Sequence, residues 1–511
     1  MARRSTIPAL LASAVSMSLL FSACTSSNSS EGNKASSAPT TAQMTPGATT
    51  KTLAPYKLSM YIPAAGAPAD LKLVNEEISN YLKDKINATF ELNVLAWADW
   101  QDKMNLKFAS SDAFDLIWTV AWDNFTTKIQ QGSLIDMTAL IDKFAPDAKK
   151  IINPALLEGS KINGKNYSLP VNKELGSQRG IMLRKDLVEK YKIDITQIKS
   201  MSDLEPVFQM IKEKEPKVTP LYINKDSNVV YTLNVANFDG NLMRNATDFK
   251  VVNMLETAEY RKSLDLARKW YLGGYVNKDA ATLTDMMSGL KSGKAFSFFE
   301  WLKPGKDAEV STSIGVDWVQ VPLTQPLIAT SDTTGSMVSI SRTSKDPERA
   351  AMFLNLLYTD KKLLNMLAFG IEGKHYAKVE GKNDVIDFPK GVTAQTSGYN
   401  LNQGYMFGNQ FNDYLWANED PAKWDKFKSF NEKAETSRLL GYNFDQSSVK
   451  NEMAAITNVK KEFEPGLVTG TLDPNEILPK YIEKAKSVGQ EKVYAEQQKQ
   501  IDEWVKTKGK K

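Results

Sequence analysis

Cys24 and His375 are the only cysteine and the only histidine among 511 residues, and this scarcity removes most side-chain chemistry at the outset. No disulfide can form within the chain. A zinc site of Cys and His ligands needs more of them than are present. A Ser-His-Asp triad could draw only on His375, which sits in GIEGKHY, and no GxSxG motif accompanies it. Carboxylate-pair chemistry stays open, because 60 acidic residues can always supply two. The other group with a chemistry of its own is the tryptophans, of which there are 10. Their faces stack on flat or apolar ligands while the indole N–H bonds a polar neighbour.

Motifs for bound cofactors fail on inspection. Gly159 to Lys165, GSKINGK, matches the start of a phosphate-binding loop, but Asn166 stands where a Ser or Thr must hold magnesium. The preceding ALLE is no convincing buried strand. GxGxxG and EF-hand patterns are absent. Neither a cofactor nor a metal is therefore expected. The net charge is +4, from 64 basic and 60 acidic residues interspersed with one another. Such mixing is a solvated surface and excludes an electrostatic nucleic-acid partner.

Residues that act together must be positioned by a fold, and 511 residues exceed what one core supports, so two or three units are expected. KLSMYIP (57–63), ATFELNVL (88–95) and FDLIWTV (114–120) read as strands. Between the first two, Leu71, Val74, Ile78, Leu82 and Ile86 share one helical face. WADWQDKMNLKFAS supplies the next helix. This β-α-β-α-β order predicts a parallel sheet covered by helices. Later strands are predicted at 180–185, 219–223, 295–301 and 337–341. Helix starts are predicted at a Ser202–Glu205 capping box, at Asp346-Pro347 and at Asp473-Pro474. The last ~130 residues read as helices and loops.

The N-terminus reads as an address. Arg3 and Arg4 precede an apolar run from Ile7 to Phe21, too short to span a bilayer. It ends in Phe21-Ser22-Ala23-Cys24, which resembles the bacterial lipobox, with Phe21 in place of the usual Leu. The resemblance implies cleavage after residue 23 and a diacylglyceryl thioether on Cys24. Residues 25–51, rich in Ser, Thr, Ala and Pro, cannot bury enough surface to fold and predict a tether over 24–54.

Read in order, WADWQDKMNLKFASSDAFDLIWT, GSLIDMTALIDKFAP, INGKNYSLPVNKE, RKDLVEKYKIDI, WYLGGYVNKDAA, LKSGKAFSFF and TSKDPERAAMFLNLLYTD resemble the extracellular solute-binding proteins of family 1, the maltose-binding type. FGNQF, LLGYNFD and the closing YIEKAKSVGQEKVYAEQQKQIDEWV resemble the extra C-terminal domain of the LipO-like lipoproteins of Gram-positive bacteria. The resemblance implies a two-lobed α/β fold of the periplasmic-binding-protein type (type II), with a ligand cleft between lobes and a helical C-terminal extension. Crossings between lobes are expected near 170–180, 322–332 and 366–380. They divide the body into 55–172 with 330–370, and 178–322 with 378–511. The implied role is a monomeric, membrane-anchored binder at the outer cell face that delivers a solute to ABC permeases.

A carbohydrate suits this composition, because aromatic faces stack on sugar CH faces while carboxylates and amides bond the hydroxyls. Ligands of open α/β sheets sit at the carboxyl ends of strands. Trp97, Trp118, Trp122, Glu300 and Trp301 fall at or beyond predicted strand ends, and Glu174 lies in the first expected crossing. Trp301 also matches the position of a stacking Trp, and Asp123 an acidic ligand-bonding position, of the maltose-binding type. Gln410 and Tyr405 lie in GYNLNQGYMFGNQFNDYLW, where aromatics alternate with amides. A secreted carboxylate-dependent glycosidase or lyase, a binder of a non-sugar solute such as a peptide, and a sensory or adhesive binder without an importer are the alternatives.

Overall fold

Leu58, Met60 and Ile62 alternate along Tyr56–Ala64 and are fully buried, so this segment can only be an inner strand. The computed structural model describes residues 53–508 apart from Ser111 and Asn402. Cys24, the expected signal peptide and nearly all of the expected tether lie outside the described residues. Helix Leu71–Ile86 follows and buries Val74, Ile78, Leu82 and Ile86, one residue per turn. Asn87 ends it in the left-handed conformation, with φ 45°. The chain then returns as Ala88–Ala96, parallel to the first strand over nine paired residues. A third parallel strand, Leu116–Thr119, lies on the other side of the first. Met337–Ile340 follows antiparallel to the third strand, and Leu169–Pro170, antiparallel to Met337–Ile340 in turn, completes this five-stranded sheet.

A second sheet has four strands, in the order Trp318–Pro322, Gln178–Arg184, Ala295–Leu302, Thr219–Leu221. It is mixed: Gln178–Arg184 runs antiparallel to both its neighbours, and only the last pair is parallel. Its strands are buried on both faces, so Ala295–Leu302 reads as an apolar run rather than an alternation. Each sheet has its own core. One contains Leu58, Ile117, Phe353 and Leu364. The other contains Ile181, Phe208, Trp270 and Phe296. The body is thus a two-lobed α/β fold.

Three segments join the lobes side by side. Ser177 and Leu327 exchange backbone hydrogen bonds of 2.9 Å in both directions. Leu327–Ile328 then pairs in parallel with Glu435–Thr436. A Cβ on Gly176 would lie 3.1 Å from Ala434 and 3.3 Å from Phe430, so the junction is packed closely.

The return crossing expected near 366–380 lies instead near 434–449. Tyr399, Leu401, Met406 and Phe407 belong to the first lobe's core, which places 378–433 there and not with the second lobe. The cause is a set of buried polar bonds. The Tyr399 hydroxyl donates to the Leu367 carbonyl, and Asn365 bonds the backbone of both Asn412 and Tyr414. The chain rejoins the second lobe through helix Lys450–Val468, whose Val459, Leu467 and Val468 enter that core. Helix Pro474–Ser487 follows it there with Leu478, Tyr481 and Ala485.

Asp346 and Asp473 cap their helices as the sequence predicts, accepting from the backbone N–H groups of Arg349 and Asn475. The capping box is displaced by two residues. Asp203 accepts from Ser200, while Glu205 pairs with Lys269 and Trp270. The loop resembling a phosphate-binding motif is a tight turn at Asn163-Gly164, both at positive φ, closed by Ile162 and Lys165.

Candidate binding site

The second lobe builds a pocket of about 560 Å³ at the exit of strand Ala295–Leu302. Cross-strand register sets Trp301 opposite Arg179. Arg179 is 3 % exposed, and its guanidinium lies 5.1 Å from the ring centres of both Trp301 and Tyr231. The two rings meet edge to face at 6.1 Å. Arg179 thus works as a cationic wedge that orients both aromatics. Its hydrogen bonds are long, 3.5 Å to Ser227 Oγ and 3.4 Å to Thr232 Oγ1, and its Nε has no partner. Burial pushes this guanidinium down to about 10, against the opposing charge of Glu300. Trp301 itself remains 36 % exposed.

The rim is made by the loop after strand Thr219–Leu221. Asn228 caps helix Val229–Asn237 by accepting from the Tyr231 N–H at 2.9 Å, which fixes Tyr231 in the first turn. Ser227 ties the loop to the sheet by donating to the Phe299 carbonyl at 2.7 Å. Asn224, Asn234 and Glu300 add amide and carboxylate groups to the lining. A second pocket of about 370 Å³ shares Ser227, Met286, Phe299 and Glu300 with the first, so the binding surface extends past Glu300.

The first lobe presents another aromatic surface beyond its strand ends. Trp97 is 40 % and Trp122 61 % exposed, with ring centres 6.4 Å apart. Both contact Trp118 edge to face, at 5.7 Å and 6.0 Å. Trp118 is not a stacking surface. It is 2 % exposed and donates to Ser336 Oγ at 2.9 Å, so it supports the other two indoles from below. Ser336 in turn donates to the Tyr405 carbonyl, which brings Tyr405 to the same side.

Asp123 also departs from expectation. Its carboxylate is buried, accepts from the Trp100 indole N–H at 2.8 Å and pairs with Lys128 at 2.9 Å. Both partners engage Oδ2, and a side chain only 3% exposed offers little surface to a ligand. Glu174 lies at the first crossing between Lys173 and Lys303, at 3.2 Å and 3.3 Å. Burial alone would raise its carboxyl, but the two ammonium groups outweigh this and hold it below the ordinary value. Gln410 sits at the same crossing through its backbone bond to the Asn172 carbonyl. His375 closes a loop, accepting from the Ile371 N–H and facing Asp70 at 3.1 Å. Among the described residues no group of three or more His, Cys, Asp or Glu is placed to hold a metal ion.

The structure therefore gathers Trp301 with Glu300, and Trp97, Trp118 and Trp122 with Tyr405. Sequence reasoning missed Arg179, Tyr231, Asn224 and Asn228. The polar run NKDSN after a predicted strand was an available signal for the loop. Nothing local marks Arg179, whose place depends on strand register.

Residues 65–362 match the family model described as bacterial extracellular solute-binding protein. Residues 438–506 match a domain of unknown function, DUF3502. The chain belongs to the bacterial extracellular solute-binding protein family. It is 33% identical over 452 residues to a carbohydrate ABC transporter substrate-binding protein of Streptococcus pneumoniae, covering 86% of this chain and 89% of that one. It is also similar to the crystal structure of the N-glycan transport solute-binding protein NgtS of S. pneumoniae, at 30% identity and TM-score 0.78, over 89% of this chain and all of that one. Against NgtS in complex with Man5GlcNAc the identity is 31% and the TM-score 0.62, over 89% of this chain and 99% of that one.

Proposed function

We propose that this protein captures an oligosaccharide outside the cell and delivers it to the permeases of an ABC importer, as a lipid-anchored monomer that binds without turnover. The observation that carries the reading is the second-lobe pocket. Two partly exposed rings, Trp301 and Tyr231, are held by a buried arginine beside a rim of amides and carboxylates. That combination recognises a ring with apolar faces and a hydroxyl edge. The similar proteins that carry a carbohydrate or N-glycan name support the same ligand class. Closure of the lobes over the ligand would bring the Trp97 and Trp122 surface to bear from the other side. At equal coverage and nearly equal identity, the likeness is greater to NgtS without a named glycan than to its Man5GlcNAc complex. This is the pattern that a hinge motion between lobes produces.

The reading is tested by titrating the purified body with Man5GlcNAc and a panel of other oligosaccharides. A ligand at a hundred times its Kd should add about 2.7 kcal/mol to apparent stability. The radius of gyration from small-angle scattering should fall as the lobes close. A panel that neither raises the melting temperature nor changes the scattering would refute a carbohydrate ligand. Release of shorter sugars during the same incubations would instead identify a glycosidase.

The anchor is tested separately. Cys24→Ser should abolish incorporation of labelled palmitate and release the protein from membranes. An anchor of two or three acyl chains holds far more firmly than one chain. Unchanged labelling would show that Cys24 is not lipidated.

A further inference from the structure

The C-terminal segment that matches the domain of unknown function contributes to the pocket lining. Lys460, Glu464 and Val468 line it together with Trp301, Tyr231 and Arg179. They are spaced four residues apart on helix Lys450–Val468, so they form one line along one face. The helix is docked firmly on the second lobe. Val459, Leu467 and Val468 share that lobe's core with Tyr260 and Leu264. Just beyond the helix, a Cβ on Gly470 would lie 2.2 Å from the Ala267 carbonyl, and Arg268 donates to the carbonyls of Gly470 and Thr471. The face with Lys460 and Glu464 is therefore a fixed wall of the site.

We infer that this domain is part of the solute site, and that Glu464 and Lys460 are ligand-contacting residues that select for hydroxyl groups of a neutral sugar. The inference rests on the carbohydrate reading of the same pocket. Lys460 Nζ and Glu464 Oε2 stand 3.3 Å apart, so the helix presents a donor and an acceptor side by side at the pocket wall. The Glu464 side chain is 29 % exposed, enough to meet a ligand from a largely dry surface. Burial raises its carboxyl, the nearby Asp226 adds to this, and Lys460 and Lys225 oppose it. A carboxylate so placed has lost water and gains from ligand hydroxyls that replace it. Asn224, Asn234 and Glu300 already edge the aromatic platform with polar groups, and the helix adds a donor and an acceptor to them from a further side.

The test compares calorimetric titrations of wild type, Glu464→Gln, Lys460→Met and Trp301→Ala with Man5GlcNAc and with whichever panel sugar binds wild type best. Glu464→Gln should weaken binding about tenfold or more, and Lys460→Met several-fold, with unchanged melting temperatures of the free proteins. If both helix variants bind like wild type while Trp301→Ala loses affinity, the pocket holds sugar without the C-terminal wall and the inference is overturned. A wild-type protein that binds none of the sugars removes the carbohydrate reading and this inference with it.

Discussion

Asp123→Ala is expected to destabilise the first lobe by about 3–5 kcal/mol. Asp123 and Lys128 are buried, with side chains 3% and 7% exposed, and lie 2.9 Å apart. Removing the carboxylate leaves an ammonium group in the interior without its counter-ion, and it also removes the acceptor of the Trp100 indole N–H. An intact pair of this kind contributes little net stability; it is the broken pair that costs. Lys128→Met in the Asp123→Ala background should therefore recover most of the loss. Denaturant unfolding followed by tryptophan fluorescence reads this directly, because Trp97, Trp100, Trp118 and Trp122 cluster beside the pair. A two-lobed protein need not unfold in one step, so the fluorescence transition is the quantity to compare. A loss below about 1 kcal/mol would match the cost of an exposed pair and return Asp123 to the list of ligand-bonding groups.

Trp301→Ala should act on binding and leave the fold nearly intact. Loss of a central stacked aromatic typically costs about 2 kcal/mol or more, roughly 30-fold in affinity. Trp301 also holds one side of Arg179, and its removal frees a guanidinium that now sits between two rings. That contact is worth about 0.5–2 kcal/mol, which adds to the loss because the pocket is less ordered before the ligand arrives. Were the indole a core residue, truncation would cost about 3–5 kcal/mol of stability. Its 36 % exposure argues for the smaller figure. Calorimetry with a binding sugar and a melting curve of the free protein separate the two cases. A large drop in melting temperature with normal affinity would assign Trp301 to packing.

Much of the architecture is legible in the sequence, because local periodicity is dictated by local geometry. The one-sided spacing of Val74, Ile78, Leu82 and Ile86 becomes a helix face, and the strands around Met60, Leu92 and Ile117 lie where the apolar runs are. Asp346 and Asp473 cap helices because a short carboxylate can reach the N–H groups two or three residues ahead wherever they occur. Position at a strand exit likewise brings Trp301 to the pocket rim. Tertiary structure alone decided the partners. Trp118 and Trp122 are four residues apart, yet one lies under the surface and the other on it, because Ser336, just ahead of strand Met337–Ile340, bonds the first. Asp123 is internal because Trp100 and Lys128 converge on it. Arg179 reaches Trp301 through a strand register that neither segment encodes alone. Residues 378–433 stay with the first lobe through the buried bonds of Asn365 and Tyr399, and helix Lys450–Val468 brings Glu464 to the pocket because Leu467 and Val468, one turn further along the same face, seat in the second core. Periodicity specifies which face of an element is apolar; which other element covers that face depends on contacts between residues far apart in the chain.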